Sequence, residues 1–140
     1  MSSSATDLPT PEGPGSVSGA PNLPEGFTGT FTSRYLDTGG LRQHVVTGGD
    51  GPPLLLIHGW PQTWYAWRLV MPALARDFSV IAPDQRGTGL SGKPPGGYDT
   101  ATLVGDLAAV DMQDLAGDVG RGLQEQHAGH DVGPGQRRHH

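Results

Sequence analysis

Between Pro52 and Val110 the apolar residues fall into two kinds of run. Leu54-Leu55-Leu56-Ile57 and Ser79-Val80-Ile81-Ala82 are short and unbroken, the pattern of parallel strands covered on both faces. Trp64, Trp67, Met71, Leu74 and Phe78 recur at three and four residues, the pattern of a helix with one buried side. Thr63 is placed to cap that helix, and Pro72, which lacks a backbone donor, predicts a kink or restart near Met71. Upstream, Phe27, Phe31 and Tyr35 alternate with Thr and Ser in strand fashion, and Asp37-Thr38-Gly39-Gly40 reads as a turn. Leu41 to Val46 alternates again, so a hairpin is predicted ahead of the core. Pro52 and Pro53 deliver an extended chain into Leu54, and that strand is expected at the centre of its sheet. Downstream, Asp99 or Thr100 can cap a second helix that puts Leu103, Leu107 and Val110 on one side. Strand, helix and strand in this order predict an α/β class with a parallel crossover.

Both ends of the 140-residue chain lack this patterning and are rich in Gly, Pro and polar residues. Residues 1–26 carry Ser, Pro, Gly and acid, with neither a basic start nor an apolar stretch, so they read as a disordered leader and not as a secretory signal. A partial domain is assigned to residues 27–115, and the Gly-, His- and Arg-rich residues 116–140 to a disordered tail. The formal charge of −5 offers no basic face for nucleic acid. No apolar run reaches the roughly 18 residues of a membrane span. The absence of cysteine excludes a disulfide framework, a thiolate metal site and a cysteine nucleophile. A cytoplasmic setting follows as the plain expectation.

Each predicted strand runs into a distinctive turn. The first ends in His58-Gly59-Trp60-Pro61, the second in Asp84-Gln85-Arg86-Gly87-Thr88-Gly89-Leu90-Ser91-Gly92, at the same rim of the sheet. In this order the two motifs resemble the opening half of the α/β-hydrolases, on the epoxide hydrolase and haloalkane dehalogenase side. The resemblance covers roughly Phe27 to Val110, and it implies the N-terminal portion of an α/β-hydrolase fold, a hairpin and then parallel strands with crossover helices in an incomplete sheet. It further implies that the main-chain N–H of Trp60 donates to an oxyanion hole. His58, Gly59, Pro61 and Trp64 then border the substrate pocket, with the Trp60 indole lining it. An aromatic residue before proline favours a cis bond, which the family often shows at this place. Set against these roles, Gly59 permits a tight turn, Pro61 fixes the start of the helix, and Trp64 and Trp67 belong first to the core. Asp84 and Arg86 read as scaffolding, paired with each other as ions.

Near the end, Gly129-His130-Asp131-Val132-Gly133 fits the Gly-x-nucleophile-x-Gly elbow in its epoxide hydrolase form, which makes Asp131 the candidate nucleophile. Its flanks favour a solvated acid in the tail, because Leu123 to Ala128 is no stiff apolar strand and Pro134 to His140 no helix. The histidine and second carboxylate that generate attacking water come from later strands in the family. No cofactor is expected, and the flexible histidines His127, His130, His139 and His140 are weak metal ligands, so no metal is assigned. Gly87 to Gly92 lacks the Lys-Ser/Thr ending of a phosphate loop.

Two readings result. In the first, the chain is a truncated, weakly active or inactive epoxide hydrolase-like protein acting on a small molecule, its apolar pattern lost after Val110 as a shifted reading frame would lose it. In the second, it is a non-catalytic binding module that self-associates through exposed sheet edges.

Overall fold

A computed structural model describes residues 8–110, which form a four-stranded mixed sheet covered on both faces. Strands β1 (Thr32–Asp37) and β2 (Arg42–Gly48) make the predicted antiparallel hairpin, with Thr32 opposite Thr47 and Asp37 opposite Arg42. The turn between them closes through the Thr38 amide on the Leu41 carbonyl at 2.9 Å and the Gly40 amide on the Asp37 carboxylate at 2.9 Å. Strand β3 (Pro53–Leu55) and strand β4 (Ser79–Pro83) pair in parallel, Leu54 with Val80 and Leu55 with Ile81. The order is β1-β2-β4-β3. Contrary to the expectation of a central place, β3 is the outer strand among the described residues, because β4 inserts between it and the hairpin.

Alternation along these strands divides the core. Val46, Val80, Ala82 and Leu56 face Phe27, Phe31, Trp64 and Met71, while Val45 and Ile81 face Val110. Neighbouring apolar residues therefore serve opposite layers, which is why the strands read as unbroken apolar runs. Phe27 does not begin a strand. Phe27–Thr30 is a single helical turn, α1, closed by the Phe31 amide on the Phe27 carbonyl at 2.9 Å. A spacing of four residues suits a helix as well as a strand, and here it stacks the two rings with centroids 4.5 Å apart. The strand starts at Thr32 instead.

The crossover from β3 to β4 is two short helical pieces. A 3-10 turn, Trp64–Trp67, starts at Thr63, whose hydroxyl accepts from the Tyr65 amide at 3.3 Å. Helix α2, Met71–Leu74, then restarts with Pro72 in its first turn, where the missing N–H costs nothing. The predicted break near Met71 is present, and it is complete.

Residues 8–26 differ from the disordered leader expected of their composition. Val17 is buried against the core, its amide donates to the Ser33 hydroxyl at 2.9 Å, and the Gly15 carbonyl accepts the Trp64 indole N–H at 2.9 Å. The Pro21 carbonyl accepts the Tyr65 hydroxyl. A few such anchors seat a Gly- and Pro-rich strap on a core that already exists.

Helix α3, residues 100–110, covers the second face through the fully buried Val110. Asp99 caps it, accepting from the Thr102 amide at 3.0 Å and the Thr102 hydroxyl at 2.9 Å. Those bonds, the hydroxyl first, hold the Asp99 carboxyl below its ordinary value of 3.8. A group with a lowered folded-state value contributes its stability above the ordinary value and loses it as pH falls through the lower one. The melting-temperature gap between wild type and Asp99→Ala is thus expected to be full near neutral pH and to close in acid; a gap that stays constant into acid would refute the cap's role. Among the described residues no helix is long and apolar enough to cross a membrane.

Candidate functional site

At the carboxyl ends of β3 and β4 the two rim turns meet, the place where open α/β sheets bind ligands. The second turn is built around Asp84, which is completely buried. Its Oδ1 accepts the Trp64 amide at 2.8 Å, and its Oδ2 accepts the Leu90 amide at 3.0 Å and faces His44 Nδ1 at 2.8 Å. His44, also fully buried, has its Nε2 2.8 Å from the Ser33 hydroxyl. With Nδ1–H donating to the carboxylate, the hydroxyl donates to Nε2 while accepting from Val17, so every buried polar atom in the series is paired. Ser91 adds a second tie: its hydroxyl donates to the Asp84 carbonyl at 2.7 Å and accepts the His44 amide at 2.9 Å. Gly89 is required here, since it sits at φ +50° and a Cβ on it would lie 2.1 Å from Asp84 Oδ2.

The expected pair of Asp84 with Arg86 is absent. Side chains two apart in a tight turn diverge, and Arg86 instead reaches α3, where its Nε and Nη2 meet the two Asp106 oxygens at 2.8 and 2.9 Å. That fork of hydrogen bonds raises the Arg86 value, against a smaller lowering by burial. Both motif residues are scaffolding, as expected, but with distant partners.

The first turn is closed on itself and tied to the second. The Gly59 amide donates to Gln62 Oε1 at 3.0 Å, and the Gln62 amide returns to the Gly59 carbonyl at 2.7 Å. The Trp60–Pro61 peptide is cis. Among the described residues the Trp60 amide makes no hydrogen bond, and Trp60 is 78% exposed. His58 is buried, with Nδ1 2.9 Å from the Gly59 carbonyl and Nε2 accepting the Gln85 amide at 3.1 Å. Both ring nitrogens are thus committed, with the proton on Nδ1.

Beside this turn lies a cavity of about 500 Å³ lined by Trp60, Gln85, Arg86, Gly87, Thr88, Tyr98 and Leu103. Its size falls within the roughly 300–1,000 Å³ of small-molecule sites. Of the residues read from sequence as site residues, Trp60 lines it. His58 does not, because its ring is drawn inward to join the turns. Gly59 and Pro61 shape the exposed turn, and Trp64 lies in the core, 1% exposed, with its ring centroid 5.8 Å from that of Phe27. Asp131 lies outside the described residues. Gln85, Thr88, Tyr98 and Leu103 were not singled out as site residues; the signal that finds the first two is their position just past the carboxyl end of β4. Among the described residues no cluster of His, Asp or Glu is placed to hold a metal ion.

A mixed sheet whose two rim turns meet beside a cavity at the strand ends defines an α/β fold. The family model for the alpha/beta hydrolase fold matches residues 52–119. Soluble epoxide hydrolase from Corynebacterium sp. (strain C12) is 53% identical over 81 residues, 58% of this chain and 27% of that enzyme. Fluoroacetate dehalogenase from Burkholderia sp. is 39% identical over 104 residues, 74% of this chain and 34% of that one. A ligand-free epoxide hydrolase structure superposes with a TM-score of 0.58 at 49% identity, covering 59% of this chain and 29% of that one. In its N-terminal part the chain belongs to the α/β-hydrolase fold family, on its epoxide hydrolase and dehalogenase branch. It spans roughly a quarter to a third of the curated relatives it matches.

Proposed function

We propose that this chain carries the oxyanion turn and one wall of the substrate pocket of an epoxide hydrolase-like hydrolase. The observation that carries the reading is the unengaged Trp60 amide, presented on a bonded turn at the edge of an apolar cavity. Such a donor stabilises charge that develops on a substrate or ester oxygen only when it is held ready beforehand. Asp131 is the proposed nucleophile. Its carboxylate oxygen forms a bond to an epoxide carbon as the C–O bond of the ring breaks, leaving an ester and an alkoxide that takes a proton. Water then adds to the ester carbonyl, whose oxygen carries the negative charge toward the Trp60 N–H, and collapse releases the diol, the Asp131 carboxylate and one proton, which balances the one taken up by the alkoxide. Among the described residues neither His44 nor His58 has a free ring nitrogen to activate that water. Turnover by this chain is accordingly proposed to be weak or nil. The cysteine-free composition supports a cytosolic setting.

The test is hydrolysis of styrene oxide, a haloalkane and an aryl ester by the full chain beside Asp131→Ala. Epoxide turnover that disappears in the variant supports the hydrolase reading with Asp131 as nucleophile. Equal background rates in both leave a pocket wall without its nucleophile.

The outer position of β3 favours the second reading, self-association. Ile57, two residues past this strand, is 43% exposed, and an edge of this kind is a template for strand addition. On this reading the chain elutes as a dimer or larger species, and Ile57→Lys shifts it to monomer. A wild-type chain that is monomeric at all concentrations removes it.

A further inference from the structure

Gln85 ties the entry of the oxyanion turn to the second rim turn at two points. The Gln85 side chain donates from Nε2 to the His58 carbonyl at 2.8 Å, while the Gln85 amide donates to His58 Nε2 at 3.1 Å. The Gln85 carbonyl in turn accepts the Thr88 hydroxyl at 2.7 Å, which keeps residue 85 from swinging. Residues 59–62 form a self-bonded unit, so they move together, and their attitude depends on how residue 58 is held. Gln85 holds it at two points, the ring and the main chain. Removing the side chain leaves the entry of the turn held only at the His58 ring, by the Gln85 amide and by Thr88 Oγ1 at 3.4 Å, while its exit stays anchored where the Trp64 amide meets Asp84, so residues 59–62 gain freedom to twist about that exit.

We propose that Gln85 is a positioning residue for the Trp60 amide, acting through His58 to fix the direction in which that donor points. The proposal rests on the reading of the Trp60 N–H as the oxyanion donor. An oxyanion donor has to be aimed to within about 0.5 Å of the productive position. Gln85 also lines the cavity, so its amide joins pocket wall and oxyanion turn in one group, and a substrate pressing on the wall bears on the donor's support.

The experiment is backbone ¹⁵N relaxation on the full chain, together with a titration of the amide spectrum with acetate, whose carboxylate stands in for the oxyanion. In Gln85→Leu the order parameters of the Gly59 and Trp60 amides are expected to fall from about 0.85 to below about 0.6. Those of β2 and β4 hold. The acetate-induced shift of the Trp60 amide is expected to shrink several-fold. Gln85→Lys, whose ammonium can reach the His58 carbonyl, restores both. Should Gln85→Leu fail to fold, Gln85→Asn carries the test, since it keeps the amide but is one methylene too short.

Unchanged order parameters at residues 59 and 60 overturn the proposal, and so does loosening spread evenly over the sheet, which marks a merely structural residue. A wild-type Trp60 amide that acetate moves no more than other exposed amides overturns the oxyanion reading itself. A loop that still loosens in Gln85→Leu then shows which of the two ideas failed.

Discussion

Asp84→Ala is expected to remove most of the stability of the described fold. The side chain is completely buried and accepts from Trp64, Leu90 and His44, so one truncation strands two amide donors and an imidazole N–H in a dry site. Each buried donor left unsatisfied costs about 1–3 kcal/mol, so the three together cost several kcal/mol. Small domains have only about 5–15 kcal/mol in total. The melting temperature should therefore fall by an amount on the order of 20 °C, at roughly 4–8 °C per kcal/mol for a domain of this size. Asp84→Asn tests the mechanism, because it keeps the volume. Its oxygen can serve His44 and Leu90, but its amide group then faces the Trp64 N–H, donor against donor, at about 1–3 kcal/mol. Thermal unfolding followed by circular dichroism should rank wild type, Asp84→Asn and Asp84→Ala in that order. Equal stability of wild type and Asp84→Ala would show that the hydrogen bonds hold nothing together.

This node joins four parts of the chain: β2 through His44, the crossover through Trp64, the rim turn through Leu90, and residues 8–26 through Ser33 and Val17. The sequence shows the carboxylate but not its partners. Arg86 stands two residues away and carries the opposite charge, so it is the natural reading, yet a tight turn sends the two side chains apart. His44 stands forty residues earlier and becomes a neighbour because Val45 pairs with Pro83. Periodicity reports which side of an element is buried, not which element covers it.

That limit explains the other differences as well. The hairpin, both parallel strands, the Thr63 cap and the restart at Pro72 were legible because each is set by local spacing and backbone chemistry. The place of β3 at the edge was not, since strand order is decided by where the crossover lands. In the site, Trp60 and His58 were both assigned on resemblance; Trp60 borders the cavity, whereas the inward bond of His58 to Gln85 is a contact between two rims. The strap formed by residues 8–26 was hidden for a different reason. Composition averages over 26 residues of Gly, Pro and Ser, whereas packing turns on Val17 and two carbonyls that accept from Trp64 and Tyr65.

Trp64→Ala is the second large effect expected, and it reports on that strap. The ring is 1% exposed and lies against Phe27 and Tyr65, centroids 5.8 Å away in each case. Replacing a buried tryptophan by alanine costs about 3–5 kcal/mol through lost burial and the cavity left behind. Trp64→Phe separates packing from anchoring. It keeps much of the apolar contact and loses the indole N–H, which leaves the Gly15 carbonyl without its donor at about 1 kcal/mol. Limited proteolysis should then cut residues 8–26 faster in Trp64→Phe than in wild type while the melting temperature falls only slightly. In Trp64→Ala cutting and melting should both change strongly, because the same vacancy undermines Phe27, Met71 and the start of the crossover. If Trp64→Phe is cut no faster than wild type, the indole bond does not hold the strap, and Val17 with its Ser33 contact must hold it alone.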